Sequence, residues 1–304
     1  MLNYILLLVG FIMLIKGADV FVDSSSYIAK KFGIPSIVVG LTIVAMGTSA
    51  PEFSVSVQSA LAGMNDMSIA NVVGSNIFNL LVVLGISAIV HKLKIYNYGN
   101  ISIMFLVGMI LLLCSIDGVL GVCDGLFLLT IFVFYILSLI IKAYKENQKD
   151  ASNEKKKSMV ITICLGMIGL VAIIWGGDLV VNSASVIAQQ LGMSENLIGL
   201  TVVAVGTSLP ELVTSIVATK KGELDIAIGN VVGSNIFNML LILGAASIIN
   251  PMTVSFFALI DLLFVIAVMF TFIVLTFKEK ILNKYQGVFL VLVYIFYIVY
   301  TIIR

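Results

Sequence analysis

Charged side chains are scarce in this sequence: 11% of its 304 residues are Asp, Glu, Lys or Arg, and 61% are hydrophobic. A soluble domain carries about 25% charged residues, so this chain cannot cover a water-facing surface. A membrane-spanning helix needs roughly 20 mostly apolar residues. The composition therefore predicts an integral membrane protein with ten spanning segments. These segments lie at 3–22, 36–61, 68–90, 100–116, 120–143, 159–181, 195–219, 225–249, 253–276 and 284–303.

Cysteine and histidine are also rare. Cys114, Cys123 and Cys164 lie in or beside apolar segments, which is typical of buried hydrophobic residues and not of a disulfide framework. The single histidine, His91, lies in a lysine-flanked loop. The sequence has no basic patch of the nucleic-acid type and no phosphate-binding loop. We therefore expect neither a nucleic-acid partner nor an ATPase activity.

Lysine and arginine lie in alternate loops between the predicted segments. Fifteen of the 17 basic residues lie around 30–31, 92–94, 142–157, 220–221 and 278–284. Loops rich in basic residues stay on the cytoplasmic side of a membrane, so we expect these loops to be cytoplasmic and both termini to lie outside. The charged stretch 144–158 has no apolar periodicity and is predicted to be a flexible cytoplasmic linker.

The chain repeats itself at a shift of 159 residues. NVVGSNIFN occurs identically at 71–79 and 230–238, and GLTIVAMGTSA at 40–50 matches GLTVVAVGTSL at 199–209 in eight of 11 positions. Each copy contains five segments, so the second copy enters the membrane from the opposite side, as in many secondary transporters. The predicted fold is an all-α polytopic membrane protein. It has ten transmembrane helices in two inverted five-helix repeats, 1–143 and 159–304, joined by the linker 144–158.

A proline-containing motif interrupts the second and seventh segments, as GTSAPE in the first copy and GTSLPE in the second. Proline lacks an N–H and its ring collides with the carbonyl four residues earlier. Pro51 and Pro210 therefore each free a carbonyl oxygen within an apolar segment. Broken backbone at membrane depth is tolerated only where it lines a cavity or is buried in protein. Both motifs thus predict a broken helix that faces a site.

Glu52 and Glu211 end these motifs near the middle of the membrane. A charge at the bilayer centre costs about 2.5–3.5 kcal/mol or more, and no intramembrane arginine offers a partner. All candidate donors are oxygens, which argues against zinc, copper and iron. Two bidentate carboxylates with the carbonyls of Thr48 and Thr207 supply about six oxygens, as Ca2+ requires. The residues favour Ca2+, with Sr2+ or Mn2+ and a pair of protonated structural glutamates as alternatives.

A second pair of polar residues occurs in the third and eighth segments. Ser75 and Asn79 are four residues apart and share a helix face, as do Ser234 and Asn238. Their hydroxyl and amide oxygens suit Na+. Hydrogen bonding between helices is the alternative. It applies with equal weight to four neighbouring residues, Asn71, Asn76, Asn230 and Asn235.

Three further acids lie in or near the apolar segments. Asp19 and Asp178 occupy equivalent repeat positions near the ends of the first and sixth predicted helices. Hydrogen bonding at a helix end is the favoured interpretation for both, and contact with the mouth of an ion pathway is the alternative. Asp261 lies inside the ninth segment, where the first repeat has Ser102, and the pattern assigns it no role.

GTSAPE and GTSLPE, each followed by GSNIFN, resemble the two α-repeats of the Ca2+/cation antiporter superfamily, and most closely its ten-span prokaryotic Na+/Ca2+ exchangers. In that family the second, third, seventh and eighth helices surround the ions. The resemblance implies that one Ca2+ is traded for several Na+ while the long first and sixth helices slide across the rest. It implies ion ligands at Ala45, Thr48, Ser49, Glu52, Ser75, Asn79, Ala204, Thr207, Ser208, Glu211, Ser234 and Asn238, the alanines acting through backbone carbonyls.

We therefore expect an antiporter of the cell membrane, not an enzyme, that exchanges Na+ for Ca2+ by alternating access, with no cofactor and no protein partner. Several members of the family carry aspartate where this chain has Asn238, and in the K+-dependent branch that acid resembles a determinant of K+ dependence. The GTSxPE motif differs from the motif of the cation/proton branch. Both observations argue against K+-dependent and Ca2+/H+ exchange. A cation channel would more naturally be a symmetric oligomer of shorter chains. A hydrolase using Ser49 or Ser208 would need a nearby His or Lys.

Overall fold

The computed structural model describes residues 2–95, 98–145, 158–193 and 204–303. Within these residues the chain is almost entirely helical, as predicted. Its helices are α1 (Leu2–Phe32), α2 (Ser36–Thr48), α3 (Ala50–Leu61), α4 (65–90), α5 (Gly99–Ser115), α6 (Val122–Lys145), α7 (Met159–Gln190), α8 (Ala204–Gly206), α9 (Leu209–Lys220), α10 (Leu224–Ile249), α11 (Phe256–Phe277) and α12 (Lys284–Ile303). Its strands are β1 (Leu93–Lys94), β2 (Val119–Leu120), β3 (Met252–Thr253) and β4 (Ile281–Leu282).

Seven of these helices are long and apolar enough to cross a membrane, and the bent pair α2–α3 passes the same test together. They coincide with eight of the ten predicted segments, and the shorter α5 coincides with the fourth. The seventh segment is described only from Ala204, because 194–203 lie outside the described residues. Most of the predicted linker, 146–157, lies outside them as well. The chain is a helical, polytopic membrane protein.

The helices α4 and α10 form the centre of the molecule. Of their most apolar 18-residue stretches, 83% and 78% of the residues are buried, against 11–33% in the other five long helices. A helix that is buried all round packs against protein on every side. These are the two helices that carry the repeated GSNIFN segments, so the candidate ligands in them lie away from lipid.

Two helices are longer than their apolar runs predict. The first reaches Phe32 rather than residue 22, and α7 reaches Gln190 rather than residue 181. The polar run Ser24–Ser26 lowers the hydropathy of α1, but these serines are buried against the rest of the protein and the helix continues through them. Asp19 and Asp178 therefore lie inside long helices, and the predicted helix-end hydrogen bonding is wrong for both.

Four glycines bring α1 and α7 into backbone contact. A β-carbon on Gly17 would lie 2.7 Å from the carbonyl oxygen of Gly169, and one on Gly176 would lie 2.9 Å from that of Gly10. Real β-carbons do not approach so closely, so only glycine fits at these positions. Small residues of this kind let membrane helices pack at short range. The contact is reciprocal, because each helix contributes the same two repeat positions.

Short antiparallel strands join loops from the two halves of the chain. Leu93 pairs with Leu282 in the β1–β4 ribbon, and Leu120 pairs with Met252 in the β2–β3 ribbon. The basic-residue pattern predicts that the loops of β1 and β4 are cytoplasmic and that the loops of β2 and β3 lie outside. Each ribbon thus connects loops that are predicted to share a side of the membrane.

Candidate functional site

The two proline motifs break their helices at equivalent serines. Helix α2 ends before Ser49 and α3 begins at Ala50, with a bend of 49° between them. Ser49 and Ser208 have nearly the same backbone angles, φ −82° and ψ 9° against φ −92° and ψ 5°. Pro51 and Pro210 follow in the first turns of α3 and α9, where a missing N–H costs little. The predicted helix breaks are confirmed.

Glu52 lies in the first turn of α3 and is completely buried. Its Oε1 accepts hydrogen bonds from Ser208 Oγ at 3.1 Å and from Ser75 Oγ at 3.4 Å. The partial positive charge at the start of a helix also favours a carboxylate there. Ser75 belongs to the same half of the chain as Glu52, whereas Ser208 belongs to the other half. Glu52 therefore lies where the two halves meet.

Glu211 has the equivalent environment in the first turn of α9. It is completely buried, and its Oε1 accepts hydrogen bonds from Ser49 Oγ at 2.8 Å and from Ser234 Oγ at 3.4 Å. Again one donor comes from the same half and one from the other. In the described part of the chain, no lysine or arginine forms an ion pair with Glu52 or Glu211.

Several buried acceptor oxygens at the site have no hydrogen-bond partner among the described residues. They are Oε2 of Glu52, Oε2 of Glu211, Oδ1 of Asn79 and Oδ1 of Asn238, all on side chains with no exposed surface. A buried acceptor without a partner costs about 1–3 kcal/mol, and more when it is charged. Four buried acceptors without a partner among the described residues are suited to binding a cation.

The amide groups of Asn79 and Asn238 are oriented by the opposite half of the chain. Asn79 Nδ2 donates to Asn235 Oδ1 at 3.3 Å, and Asn238 Nδ2 donates to Asn76 Oδ1 at 3.1 Å. Because the NH2 groups are used in this way, the oxygens Oδ1 remain available. Each of the two residues also begins a π-helical turn, Asn79–Val83 in α4 and its counterpart in α10. Such turns occur often at functional sites.

The neighbouring asparagines connect helices. Asn71 Nδ2 donates to Ser56 Oγ at 2.9 Å and to the Glu52 carbonyl at 3.2 Å. Asn230 Nδ2 makes the equivalent bonds to Ser215 Oγ at 2.9 Å and to the Glu211 carbonyl at 3.4 Å. Asn76 and Asn235 accept the bonds from Asn238 and Asn79 described above. Interhelical hydrogen bonding is therefore confirmed for all four asparagines.

Two further serines at the site were not identified from the sequence. Ser56 and Ser215 lie four residues after the two glutamates and hold the asparagines just described. That spacing places each serine on the same helix face as its glutamate. It is the signal that could have identified them.

The remaining predicted ligands surround the two glutamates at the broken helices. The Ala45 carbonyl accepts the Ser49 N–H at 3.0 Å, and Thr48 Oγ1 donates to Asn230 Oδ1 at 3.0 Å. Thr207 Oγ1 is buried and has no partner in the described ranges. Ala204 is the first residue of α8.

The hydrogen bonds of the two glutamates bring six predicted ligands into two triplets, Ser208–Glu52–Ser75 and Ser49–Glu211–Ser234.

A cavity leads from the surface of the protein to the second broken helix. Its volume is about 370 Å³, and it lies between α3 and α7. Gln58, Asp178 and Asn182 line it together with Thr207 and Pro210 at the second helix break. Asp178 therefore lines a cavity that reaches the second broken helix, and its contact with the mouth of an ion pathway stays a prediction.

The donor chemistry of the site fits a hard cation. Among the described residues, no group of three or more His, Cys, Asp or Glu side chains could hold a metal ion. The candidate donors are two carboxylates together with hydroxyl, amide and backbone oxygens. Ca2+ takes six to eight oxygens in flexible geometry, whereas transition metals prefer nitrogen and sulfur.

Comparisons with known proteins point in one direction. The family described as sodium/calcium exchanger protein matches residues 2–141 and 161–303. The chain is 30% identical to the sodium/calcium exchanger MaX1 of Methanosarcina acetivorans, over 98% of this chain and 97% of that protein. It is 35% identical to the inner membrane protein YrbG of Escherichia coli (strain K12), over 81% and 79%.

A solved structure is also similar to this chain. It is that of the sodium-calcium exchanger NCX_Mj soaked with 2.5 mM Na+ and 0.1 mM Ca2+. The two share 31% identity with a TM-score of 0.88, and the match covers 98% of each chain. The similarity therefore extends over the whole helical fold and both repeats.

Proposed function

Because the chain belongs to the sodium/calcium exchanger protein family, we propose that it is a secondary antiporter that exchanges Na+ for Ca2+ across the cell membrane. The observation that carries this proposal is the set of four buried acceptor oxygens without partners, on Glu52, Glu211, Asn79 and Asn238. Its relatives of known description include the sodium/calcium exchanger MaX1. A transported cation is the partner that such oxygens lack.

Ca2+ is assigned to the two glutamates. Together they supply two negative charges that neutralise one divalent ion, and bidentate binding by both uses four of its six to eight oxygens. Ser49 and Ser208 hold the Oε1 atoms, so that Oε2 of each carboxylate can turn to the ion. The carbonyls of Thr48 and Thr207 complete the Ca2+ site.

Na+ is assigned to the neutral oxygens around the same carboxylates. Ser75 and Asn79 in α4 and Ser234 and Asn238 in α10 offer hydroxyl and amide oxygens, and the carbonyls of Ala45 and Ala204 belong to the same set. Because Na+ and Ca2+ share the glutamates, binding of one opposes binding of the other. Competition at a shared site is the basis of exchange.

Ten transmembrane helices in two inverted repeats are part of the proposal. The hydrogen bonds support it, because a contact in one half has its counterpart 159 residues along the chain. Ser75 binds Glu52 as Ser234 binds Glu211, at the same distance of 3.4 Å. The family match is likewise split into 2–141 and 161–303, close to the proposed repeats 1–143 and 159–304.

The proposed orientation has both termini outside and the linker 144–158 in the cytoplasm. The β1–β4 and β2–β3 ribbons support it, since each pairs loops that the basic residues place on one side. Asn250, in a loop predicted to be external, also donates to the carbonyl of Ala60, at the predicted external end of α3.

Alternating access requires that only one side of the site be open at a time. The cavity between α3 and α7 leads to the side predicted to be external. The repeat equivalents of its residues Ala50, Ser54 and Gln58 are Leu209, Val213 and Val217. These three pack against a buried apolar cluster that includes residues of α1, and we infer that they fill the cytoplasmic counterpart of the cavity. These two observations support our proposal that the chain is in an outward-open arrangement.

Ca2+ uptake into proteoliposomes that contain the purified protein tests the proposal. An outward-directed Na+ gradient should drive uptake, and equal K+ or H+ gradients without Na+ should not. Uptake with an H+ gradient alone would establish Ca2+/H+ exchange, and a need for K+ would establish K+-dependent exchange. Downhill Ca2+ flux without any counter-ion would instead indicate a channel and contradict the proposal.

A further inference from the structure

Lys221, at the end of α9, is bound to the side of α1. Its Nζ lies 2.7 Å from Asp19 Oδ1, 2.6 Å from Asp23 Oδ1 and 2.8 Å from the Asp19 carbonyl oxygen. An ammonium group has three N–H donors, so all three are used on one helix. Partial burial lowers the pKa of Lys221, but the hydrogen bonds to Asp19 and Asp23 outweigh it and leave the pKa raised. The side chain is therefore charged at physiological pH.

Glu223 makes a second connection between the same elements. Its Oε1 accepts a hydrogen bond from Ser26 Oγ at 2.5 Å and lies 3.3 Å from Lys30 Nζ. Ser26 and Lys30 lie one and two helical turns beyond Asp23 on α1. The short loop 221–223 is thus attached to α1 over about three turns, by contacts of both charge signs.

These contacts lie at the edge of the closed side of the protein. Leu209, Val213 and Val217 of α9 pack against the apolar cluster that contains Ala18 and Val22 of α1, at the place that would be a cytoplasmic cavity. Lys221 follows Val217 by one turn on α9, and Asp19 and Asp23 follow Ala18 and Val22 on α1. The polar contacts therefore border the apolar plug on its cytoplasmic edge.

Among the described residues, the repeat-equivalent positions on the predicted external side cannot form the same contacts. A shift of 159 residues replaces Lys221 with Ala62, Glu223 with Met64 and Asp23 with Asn182. Gln189 stands in the place of Lys30. Of this set only Asp178, the equivalent of Asp19, keeps its charge, and it lines the open cavity. In the described part of the chain, the two repeats thus share the packing helices, but this set of charge pairs occurs only in the copy on the predicted cytoplasmic side.

We propose that Lys221, Asp19, Asp23, Lys30 and Glu223 form a one-sided latch that holds the cytoplasmic side closed and makes the outward-open state the resting state. Each transport cycle must break these contacts, because α1 cannot move away from α9 while Lys221 binds it. The latch thus favours capture of external ions. This consequence for transport rests on the proposed exchange function, whereas the latch itself does not.

The size of the effect follows from the exposure of the charges. Lys221 is 23% exposed, whereas the two aspartates are about half exposed. Exposed ion pairs contribute modestly and networks somewhat more. Loss of the Lys221 charge should therefore shift the ratio of outward-open to inward-open molecules by about three- to tenfold, a detectable change that leaves both states populated.

Accessibility of two matched cysteines tests the latch in the full-length protein. Gln58→Cys reports the external cavity and Val217→Cys reports its closed cytoplasmic counterpart, each in a background in which Cys114, Cys123 and Cys164 are replaced by serine. Lys221→Gln should raise the rate of labelling at Val217→Cys from the cytoplasmic side by about three- to tenfold. The rate at Gln58→Cys from outside should fall.

Neighbouring substitutions provide the controls. Lys220→Gln removes the same charge from the exposed adjacent lysine and should leave both labelling rates unchanged. Lys221→Arg keeps the charge and should also retain the wild-type rates. If Lys221→Gln does not fold, Asp23→Asn removes part of the latch at a more exposed position. Labelling rates of Lys221→Gln or Asp23→Asn equal to those of Lys220→Gln would overturn the proposal.

The labelling experiment and the transport experiment test the latch and the exchange function separately. Wild-type protein that does not exchange Na+ for Ca2+ would overturn the proposed function, while labelling would still report which side is open. If exchange is normal but the labelling does not respond to Lys221→Gln, only the latch is wrong. In an active protein, the latch further predicts that Lys221→Gln changes Ca2+ exchange from the two sides unequally.

Discussion

Ser49 and Glu211 lie 162 residues apart in the chain, yet Ser49 Oγ donates a hydrogen bond to Glu211 Oε1 over 2.8 Å. The reciprocal bond from Ser208 to Glu52 has a length of 3.1 Å. Each half of the chain therefore positions the carboxylate of the other half. Neither repeat contains a complete site, and the site forms only when both repeats pack together.

Removal of the cross-half serine hydroxyls should weaken Ca2+ binding. Ser49→Ala or Ser208→Ala leaves a buried carboxylate with one donor fewer, and a hydrogen bond to a charged group contributes about 1.5–3 kcal/mol. We expect Ca2+ affinity to fall by about tenfold or more, measured by calorimetry on purified protein. Ser54→Ala removes an exposed hydroxyl of α3 whose hydrogen-bond partner is Gln58 and not a glutamate, and it should bind like wild type. Equal affinities for Ser49→Ala and Ser54→Ala would contradict this role.

Neutralisation of either glutamate should have the largest effect. Glu52→Gln or Glu211→Gln keeps the shape of the side chain but leaves one negative charge for a divalent ion. A unit charge about 4 Å away contributes about 4 kcal/mol at an effective dielectric constant near 20. Ca2+ affinity should therefore fall by about 100-fold or more, while thermal stability without ions should hold or rise.

The control for the glutamate variants is Glu279→Gln, which removes the same charge from an exposed loop. It should leave Ca2+ binding and Na+-driven Ca2+ flux unchanged. A glutamine variant at position 52 or 211 that binds and exchanges Ca2+ like wild type would show that the assigned ion site is wrong.

The two central asparagines should affect Na+ more than Ca2+. Asn79→Ala or Asn238→Ala removes a neutral oxygen that has no partner and also the NH2 group that binds the opposite half. We expect the Na+ concentration for half-maximal exchange to rise about five- to tenfold, the size of one neutral contact. Ca2+ binding should change less. An equal loss for both ions in Asn79→Ala would mean that the residue only stabilises the fold.

The proposed orientation can be tested at a pair of repeat-equivalent exposed positions. A cysteine at Leu61 should react with an impermeant maleimide added outside intact cells, and one at Lys220 should react only after the membrane is opened. Gly63 and Gly222 are poorer positions, because their φ angles of 73° and 78° strain any side chain. Labelling of both cysteines from one side would rule out the inverted repeat.

The sequence was informative wherever the two repeats could be compared. The identical segments at 71–79 and 230–238 identified Ser75 and Asn79, together with their repeat equivalents Ser234 and Asn238, as candidate ligands. Pro51 and Pro210 predicted both helix breaks. These features are local, since a proline breaks its own helix and an i,i+4 pair shares its own helix face. The helix breaks and the shared helix faces could therefore be predicted from residue spacing alone.

Contacts between distant helices could not be predicted in this way. The bond from Asn79 to Asn235 and that from Lys221 to Asp19 depend on how the helices pack. The sequence of either helix alone does not determine which distant helix it contacts. The length of α1 was missed for a similar reason. Its serines at 24–26 end the apolar run, but burial against the rest of the protein preserves the helix.

The glycine contacts between α1 and α7 have a consequence for the cell. With backbones in direct contact at Gly10–Gly176 and Gly17–Gly169, the two helices cannot be displaced separately without opening voids, and close-packed interiors resist voids. One of these helices borders the external entrance and the other the cytoplasmic plug. For the proposed antiporter, a single shared displacement of α1 and α7 would therefore open one entrance while it closes the other. Such coupling would prevent a continuous leak that dissipates the ion gradients of the membrane.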